Sequence, residues 1–308
     1  MILFHVGHDH LPRASTFVEF LQRWDLAPYI LIPLAIIWGA YLLGRWRLSR
    51  RTKYRVVPLR NSLFFVGGGV ILTLVLVSPI DVYGGDLFFM HMIQHLSLMM
   101  VAAPLLLLAA PMAVFLWAFP RTIRHQLGRI FTPNGVLRRV LTGVTVPVIA
   151  WLFYVAAIWA WHIPAVYDKA LEQEWVHMSE HLVMFGAAVI FWWPVIGPPP
   201  IRSHLPYPFR FLYLFLALFQ NIVLAAILTF ADAPVYAHYE DSPEHWGLGG
   251  DVDQQLGGIL MWLPGAMMYF TALGILFYIW VSQEEREIAH QSIDAEKRRR
   301  YLTERGTL

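Results

Sequence analysis

The sequence predicts an all-α, polytopic membrane protein: a bundle of seven transmembrane helices with its N-terminus outside and its C-terminus inside. Three observations support this fold class. Apolar residues make up 57% of the 308 positions and charged residues only 14%, whereas soluble domains are roughly a quarter charged. Seven apolar segments are long enough to cross a bilayer, and the Lys and Arg residues cluster in alternate connecting loops.

Each predicted span is mainly apolar, and about 20 such residues cross roughly 30 Å of hydrocarbon. We expect Pro104 and Pro111 to kink the long third span, because proline lacks the N–H that a helix needs. Pro147, Pro194 and Pro264 interrupt other spans, which membrane helices tolerate when neighbours satisfy the freed carbonyls. The seven spans are residues 27–44, 59–79, 87–118, 140–161, 176–196, 208–230 and 254–281.

The basic residues predict the orientation, because loops on the cytoplasmic side of a membrane protein are rich in Lys and Arg. The loops after the first, third and fifth spans, together with the first residues of the spans that follow them and the segment after residue 281, hold all of the 23 Lys and Arg residues except Arg13, Arg23 and Lys169. The remaining loops are instead rich in Asp and Glu. This alternation predicts an external N-terminus and an internal C-terminus.

The chain divides into an outer N-terminal tail of residues 1–26, a seven-helix membrane domain of residues 27–281 and a cytoplasmic C-terminal tail of residues 282–308. Basic residues follow the first apolar segment instead of preceding it, which predicts a retained helix rather than a secretory signal. The charged C-terminal tail predicts a solvated helix. The N-terminal tail holds three histidines that either collect metal ions or are simply exposed, His5, His8 and His10.

Most of the 13 histidines lie on the predicted outer side, and four of them form two matching H-M-x-x-H motifs. His91 and His95 lie near the start of the third span, and His177 and His181 near the start of the fifth. A spacing of four residues places both imidazoles of a motif on one helical face. This geometry suits a shared metal ion or the edge of a haem. The alternative is packed histidines without a ligand, although polar groups inside a membrane are costly and usually functional.

The donor set of the predicted site indicates copper, especially Cu(I), bound stably or in transit. Cysteine is absent, and imidazole with thioether suits copper, whereas zinc gains little from methionine. Glu180 is expected to orient a ligand imidazole as a hydrogen-bond acceptor. Met99 lies one turn below His95, and Met261 is a candidate ligand, although packing is the commoner role of a buried methionine. The candidate ligands are His91, His95, His177, His181, His162 and Met261.

The order of these features resembles the CtaG family of seven-helix membrane proteins, which are assembly factors for haem-copper cytochrome c oxidases. The resemblance extends over about residues 20–285 and depends on the order and spacing of several short motifs. The matching stretches are His91-Met92-Ile93-Gln94-His95 with Pro104 and Pro111, Trp161-His162-Ile163-Pro164 with Tyr167, Glu180-His181, and Asp253-Gln254-Gln255 with Gly258 and Met261-Trp262.

The resemblance implies a protein of the bacterial inner membrane that helps to install copper in the oxidase and does not catalyse a reaction. Its expected partners are the subunits of a haem-copper cytochrome c oxidase, a copper-donor protein on the outer side and the lipid bilayer, with no role for nucleic acid. The resemblance does not supply the metal ligands, so the candidate residues depend on the spacing of the motifs.

Three other functions are also compatible with the sequence. A haem b protein could take axial histidines from the third and fifth spans. A zinc peptidase is a second alternative, because the segment from His177 to His181 fits the pattern H-x-x-E-H. A hydrolase also needs a third ligand and an open water position, and the last two spans offer no buried carboxylate for that purpose. A small-ion transporter is the third alternative.

Overall fold

A computed structural model describes residues 17–51, 57–130, 132 and 135–304. All regular elements within these ranges are helical. The histidines of the N-terminal tail, His5, His8 and His10, lie outside the described residues, as does most of the predicted tail itself.

The described helices vary widely in length, from single turns to the 55 residues of the last one. The α-helices are α1 (Phe17–Leu21), α2 (Pro28–Arg51), α3 (Leu59–Val77), α4 (Pro79–Gly84), α5 (Phe88–Leu96), α6 (Ala103–Leu108), α7 (Met112–Trp117), α8 (Arg121–Ile130), α9 (Val136–Val144), α10 (Pro147–Trp161), α11 (Pro164–Glu172), α12 (Glu174–Ile196), α13 (Tyr207–Thr229) and α14 (Gly250–Glu304). A π-helical segment, Ser97–Ala102, joins α5 to α6, and the 3-10 helices Ala237–Tyr239 and Ser242–Trp246 lie between α13 and α14.

Among the described residues, six helical segments are long and apolar enough to cross a membrane, so the chain is a multi-pass membrane protein. They are α2, α3, the run from α5 to α6, α12, α13 and α14. The pair α9 and α10 forms a seventh only if it is one span, because the two helices are bent by 68°. Pro147 explains the bend, since the residue before a proline is driven out of helical geometry. Seven spans and the orientation of the termini therefore remain predictions.

The third predicted span is built from four helical pieces and is not one kinked helix. The break near Pro111 is as expected, with Ala110 at a φ of 47° between α6 and α7. At Pro104 the chain adopts the π-helical segment instead of a sharp kink. In π-helical register the N–H of residue 104 would donate to the Met99 carbonyl, and proline has none. The indole N–H of Trp192 donates to that carbonyl instead, at 3.0 Å.

Helices α5, α10, α12, α13 and α14 surround the main buried core, which is rich in Met, Tyr and small residues. Two glycines of α14 allow the close helix approach that the sequence predicts. A Cβ atom on Gly257 would collide with the ring of Phe88, and one on Gly258 would lie 2.9 Å from the backbone nitrogen of Thr229. The start of α14 is thereby held against both α5 and the end of α13.

Helix α14 continues without a break past residue 281, where the membrane domain is predicted to end. Its distal part is exposed from residue 283 to residue 297, in agreement with the predicted solvated helix. Pro194 and Pro264 lie inside continuous helices, whereas Pro147 begins one.

Candidate metal centre

The helices α5 and α12 bring the two H-M-x-x-H motifs together at one end of the bundle. The ring centroids of His91 and His177 are 5.5 Å apart, and those of His95 and His181 are 5.2 Å apart. Within each motif the two rings are separated by 4.4 Å and 4.3 Å. These four residues form one group, which we call the histidine cluster.

Glu180 lies inside the histidine cluster and faces the opposite helix. Its Oε1 atom is 3.6 Å from the Nε2 atoms of both His91 and His95. The three donor atoms lie within 4.8 Å of one another, and all three residues are buried. The sequence predicts that Glu180 orients an imidazole as a hydrogen-bond acceptor, and this role stays a prediction; its carboxylate also lies close enough to both imidazoles to be a candidate ligand itself. Since Glu180 follows His177 by three residues, it shares the helix face that points at α5.

Several nitrogen atoms of the histidine cluster have no hydrogen-bond partner among the described residues. They are both ring nitrogens of His91, both of His95, and Nε2 of His181. A buried polar atom without a partner costs about 1–3 kcal/mol, so such atoms need a specific explanation. Coordination to a metal ion would satisfy one nitrogen of each ring, and the residues therefore fit such an ion.

His162 ends α10 and presents one ring nitrogen to the same region. Its Nδ1 atom lies 2.7 Å from the carbonyl oxygen of Ile158. Because a carbonyl only accepts, Nδ1 carries the proton and the neutral ring keeps Nε2 as its acceptor. That Nε2 atom is buried and has no partner among the described residues. The tautomer suits a metal ligand.

A cavity of about 30 Å³ adjoins the histidine cluster, one turn further along α5. His95 and His162 both line it, and room of this size holds about one or two water molecules. We call it the methionine cavity, because its walls include five thioethers, those of Met92, Met99, Met100, Met184 and Met261.

The buried methionine Met261 has a fixed backbone next to the methionine cavity. It is 5% exposed, and its carbonyl accepts a hydrogen bond from Asn221 Nδ2 at 2.9 Å. Among the other residues that line the cavity, the hydroxyl of Tyr154 lies 2.9 Å from that of Tyr269 and 3.7 Å from the sulfur of Met100. The sequence pointed to Met261 and Met99 but not to Met100 or Met184, which no short motif marks.

Buried tyrosines cover the histidine cluster on the side of the loop between α13 and α14. The rings of Tyr167 and Tyr236 stack with centroids 4.0 Å apart, and Tyr167 lies 5.2 Å from His91. The hydroxyl of Tyr239 donates to the carbonyl of Gly84. Burial raises the pKa of Tyr167 and of Tyr239 well above 10. These phenols therefore remain neutral, and their rings cover the histidine cluster on this side.

Gln94, between the two histidines of α5, anchors that helix to its neighbours. Its Nε2 atom donates to Asp81 Oδ1 at 2.6 Å and to the Val75 carbonyl at 2.7 Å. Burial raises the pKa of Asp81 to about 7, although the hydrogen bond from Gln94 opposes the shift. Gln254 plays a similar part in α14, where its Oε1 accepts from Val235 N–H at 2.6 Å. Both glutamines fix elements that carry the centre.

Comparison with known proteins gives a family match and distant relatives. The family model for "Cytochrome c oxidase caa3 assembly factor (Caa3_CtaG)" matches residues 39–283. Uncharacterized proteins of Mycobacterium bovis and Mycobacterium tuberculosis are each 25% identical over 296 residues, which cover 94% of this chain and 44% of theirs. One from Mycobacterium leprae is 24% identical over 286 residues, covering 91% and 43%. The chain thus spans less than half the length of these relatives. No solved structure matches it.

Proposed function

The chain belongs to the family of cytochrome c oxidase caa3 assembly factors, and from that premise we propose that it handles copper for the oxidase. Copper is its cargo, bound at the histidine cluster and passed to subunits of a haem-copper oxidase on the outer side of the bacterial inner membrane. A copper-donor protein on that side would load it. The family favours this assembly role over catalysis.

The observation that carries the proposal is the convergence of His91, His95 and Glu180. Their donor atoms lie within 4.8 Å of one another although they come from two helices. The rings of His177 and His181 have their centroids 5.5 and 5.2 Å from those of His91 and His95, respectively, and offer further imidazoles. A bundle that needed only packing would gain nothing from three buried polar residues beside two half-buried histidines, because each buried group must be desolvated.

Charge balance favours Cu(I) as the ion. A buried carboxylate ligand, such as Glu180 at 2% exposure, needs a positive partner in the bundle. A monovalent copper ion bound by one carboxylate and neutral imidazoles leaves the site without net charge. A divalent ion with the same ligands leaves one positive charge in a medium of low dielectric constant. Imidazole and carboxylate alone also suit zinc and iron. The neighbouring thioethers are what favour copper.

The methionine cavity offers the ion a second position. His95 belongs to the histidine cluster and also lines the cavity, so an ion could exchange its donors there without leaving protein ligands. Thioethers such as that of Met261 hold Cu(I) without adding charge. His162 contributes an acceptor nitrogen to the same space.

The haem b alternative has weaker support from the geometry. Sites for organic cofactors occupy about 300–1,000 Å³, and the cavity beside the histidine cluster has a volume of about 30 Å³. Rings of the cluster that lie only 4.3 to 5.5 Å from their neighbours leave an ion-sized gap rather than a slot for a porphyrin.

Anaerobic titration of the full chain in detergent with Cu(I), against a chromogenic Cu(I) chelator, tests the proposal. We expect wild-type protein to retain copper and the double variant His95→Ala, His181→Ala to lose it. The matched control is His125→Ala, His204→Ala, whose histidines are exposed and belong to neither motif. Wild-type copper binding by the first double variant would refute the site. A reducible Soret band in the purified protein would instead support the haem alternative.

A further inference from the structure

A large basic pocket lies at the far end of the third predicted span, opposite the histidine cluster. It has a volume of about 520 Å³ and lies between the end of α2 and the turn that leads from α7 into α8. We call it the arginine pocket, because five guanidinium side chains line it, those of Arg47, Arg50, Arg51, Arg121 and Arg124.

The described residues that line the arginine pocket carry positive charge without an acidic side chain among them. Like charges brought this close repel one another, and partial desolvation beside the bilayer strengthens the repulsion. An anion bound between the guanidinium groups would relieve it.

Contacts with aromatic and backbone groups hold three of the five arginines in place. Arg124 lies 3.8 Å from the ring centroid of Trp117, and Arg50 lies 5.1 Å from that of Trp46. Arg47 Nη1 donates to the carbonyl of Ala118 at 2.5 Å, which ties α2 to the end of α7. These contacts order three of the guanidinium groups before any ligand arrives, which reduces the side-chain entropy that binding would cost.

The surface next to the arginine pocket is apolar and exposed. On α2, Leu42 and Trp46 are 61% and 53% exposed. This helix is one of the candidate membrane spans, and most of its surface faces outward from the bundle. A ligand that reached both regions would carry an anionic head and an apolar tail.

We propose that the arginine pocket binds the phosphate headgroup of an anionic phospholipid, whose acyl chains lie along the exposed face of α2. Guanidinium groups form paired hydrogen bonds with phosphate oxygens, and basic pockets between membrane helices suit such headgroups. A volume of about 520 Å³ also exceeds what one phosphate needs. The site is remote from the histidine cluster and does not depend on the proposed copper function.

Native mass spectrometry of the full chain in detergent tests the proposal, with phosphatidylglycerol compared with phosphatidylcholine of identical acyl chains. We expect selective retention of phosphatidylglycerol. Substituting two exposed arginines, Arg50→Gln and Arg121→Gln, should weaken this retention about tenfold. The matched control is Arg129→Gln with Arg138→Gln. It removes two charges from the loop after the third predicted span, outside the pocket, and should retain the lipid as wild type does.

The melting temperature in phosphatidylcholine, unchanged in both double variants, checks that they fold. Equal losses of lipid in the two double variants would overturn the proposal that the lipid binds in the arginine pocket, since net charge alone would then explain its retention. Inorganic phosphate is the competing source of the same chemistry. Full displacement of phosphatidylglycerol by millimolar phosphate would overturn the lipid assignment, whereas persistence of the bound lipid supports it.

Discussion

The carboxylate of Asp253 accepts a hydrogen bond from the backbone N–H of Phe88 at 2.7 Å, and a second from that of Phe89 at 3.1 Å. The first N–H groups of a helix have no partner within it. The start of α14 therefore caps α5, the helix that carries His91 and His95. Asp253 is not a candidate metal ligand, but it thus helps to position the imidazoles of His91 and His95.

We predict that Asp253→Ala lowers the free energy of unfolding by about 1–2 kcal/mol, the usual cost of a lost helix cap, and weakens Cu(I) binding. Asp253→Asn keeps one acceptor oxygen and should recover part of both losses. Thermal unfolding and chelator competition in detergent measure the two effects.

Asp251→Ala is the control, because Asp251 is exposed in the same first turn of α14 and makes no contact with α5 that the structure describes. Equal copper affinity in Asp253→Ala and wild type would contradict the positioning role, even if stability fell.

Local periodicity explains which parts of the candidate site the sequence could predict. The spacing of four residues put His91 with His95 and His177 with His181, and two helices that start at the same end of the bundle bring the pairs together. The ligand-like place of Glu180 depends on how α12 is rotated toward α5. No pattern within one helix encodes that rotation.

The same distinction between local and long-range information holds for the fold. The apolar segments predict each membrane helix, and Pro147 correctly marks an interruption. The π-helical segment Ser97–Ala102 was not predictable, because the group that stabilises it, the indole of Trp192, comes from a different helix far along the chain. The cap from Asp253 escaped prediction for the same reason.

A second prediction concerns the contact between α14 and α13. Gly258→Ala should lower the free energy of unfolding by about 1–3 kcal/mol, since its Cβ would lie 2.9 Å from the backbone nitrogen of Thr229, which cannot yield easily. In the same helix, a Cβ added to Gly274 would meet no atom within 4 Å. Gly274→Ala should therefore stabilise the helix by about 0.5–1 kcal/mol. A thermal shift of the same sign in both variants would disprove the close contact.

The third prediction tests the orientation. Because the chain contains no cysteine, single exposed cysteines report topology directly. A membrane-impermeant maleimide should label Asp241→Cys, in the loop before α14, in spheroplasts. Gln291→Cys, in the distal part of α14, should be labelled only after the membrane is permeabilised. Labelling of Gln291→Cys in intact spheroplasts would refute an internal C-terminus.

The fourth prediction concerns the cell. Deletion of the gene should lower haem-copper oxidase activity and leave copper-free respiratory enzymes intact, with partial rescue by added copper. Complementation with His95→Ala or His181→Ala should fail at normal protein levels, whereas His125→Ala and His204→Ala should restore activity. Normal copper content in the oxidase of the deletion strain would rule out copper delivery while leaving the family assignment intact.

The last prediction separates a ligand role of Met261 from a packing role. Leucine fills nearly the same volume as methionine, so Met261→Leu should cost less than about 1.5 kcal/mol of stability. It removes a soft thioether, however, and should weaken binding of Cu(I), and of Ag(I) as a redox-inert analogue, by about tenfold. Zinc binding should be unchanged, because zinc gains little from thioether. Met267→Leu is the control on the same helix, since Met267 is 67% exposed and does not line the methionine cavity. If Met261→Leu and Met267→Leu bind Ag(I) equally well, Met261 only packs, and the ion is held by imidazole and carboxylate alone.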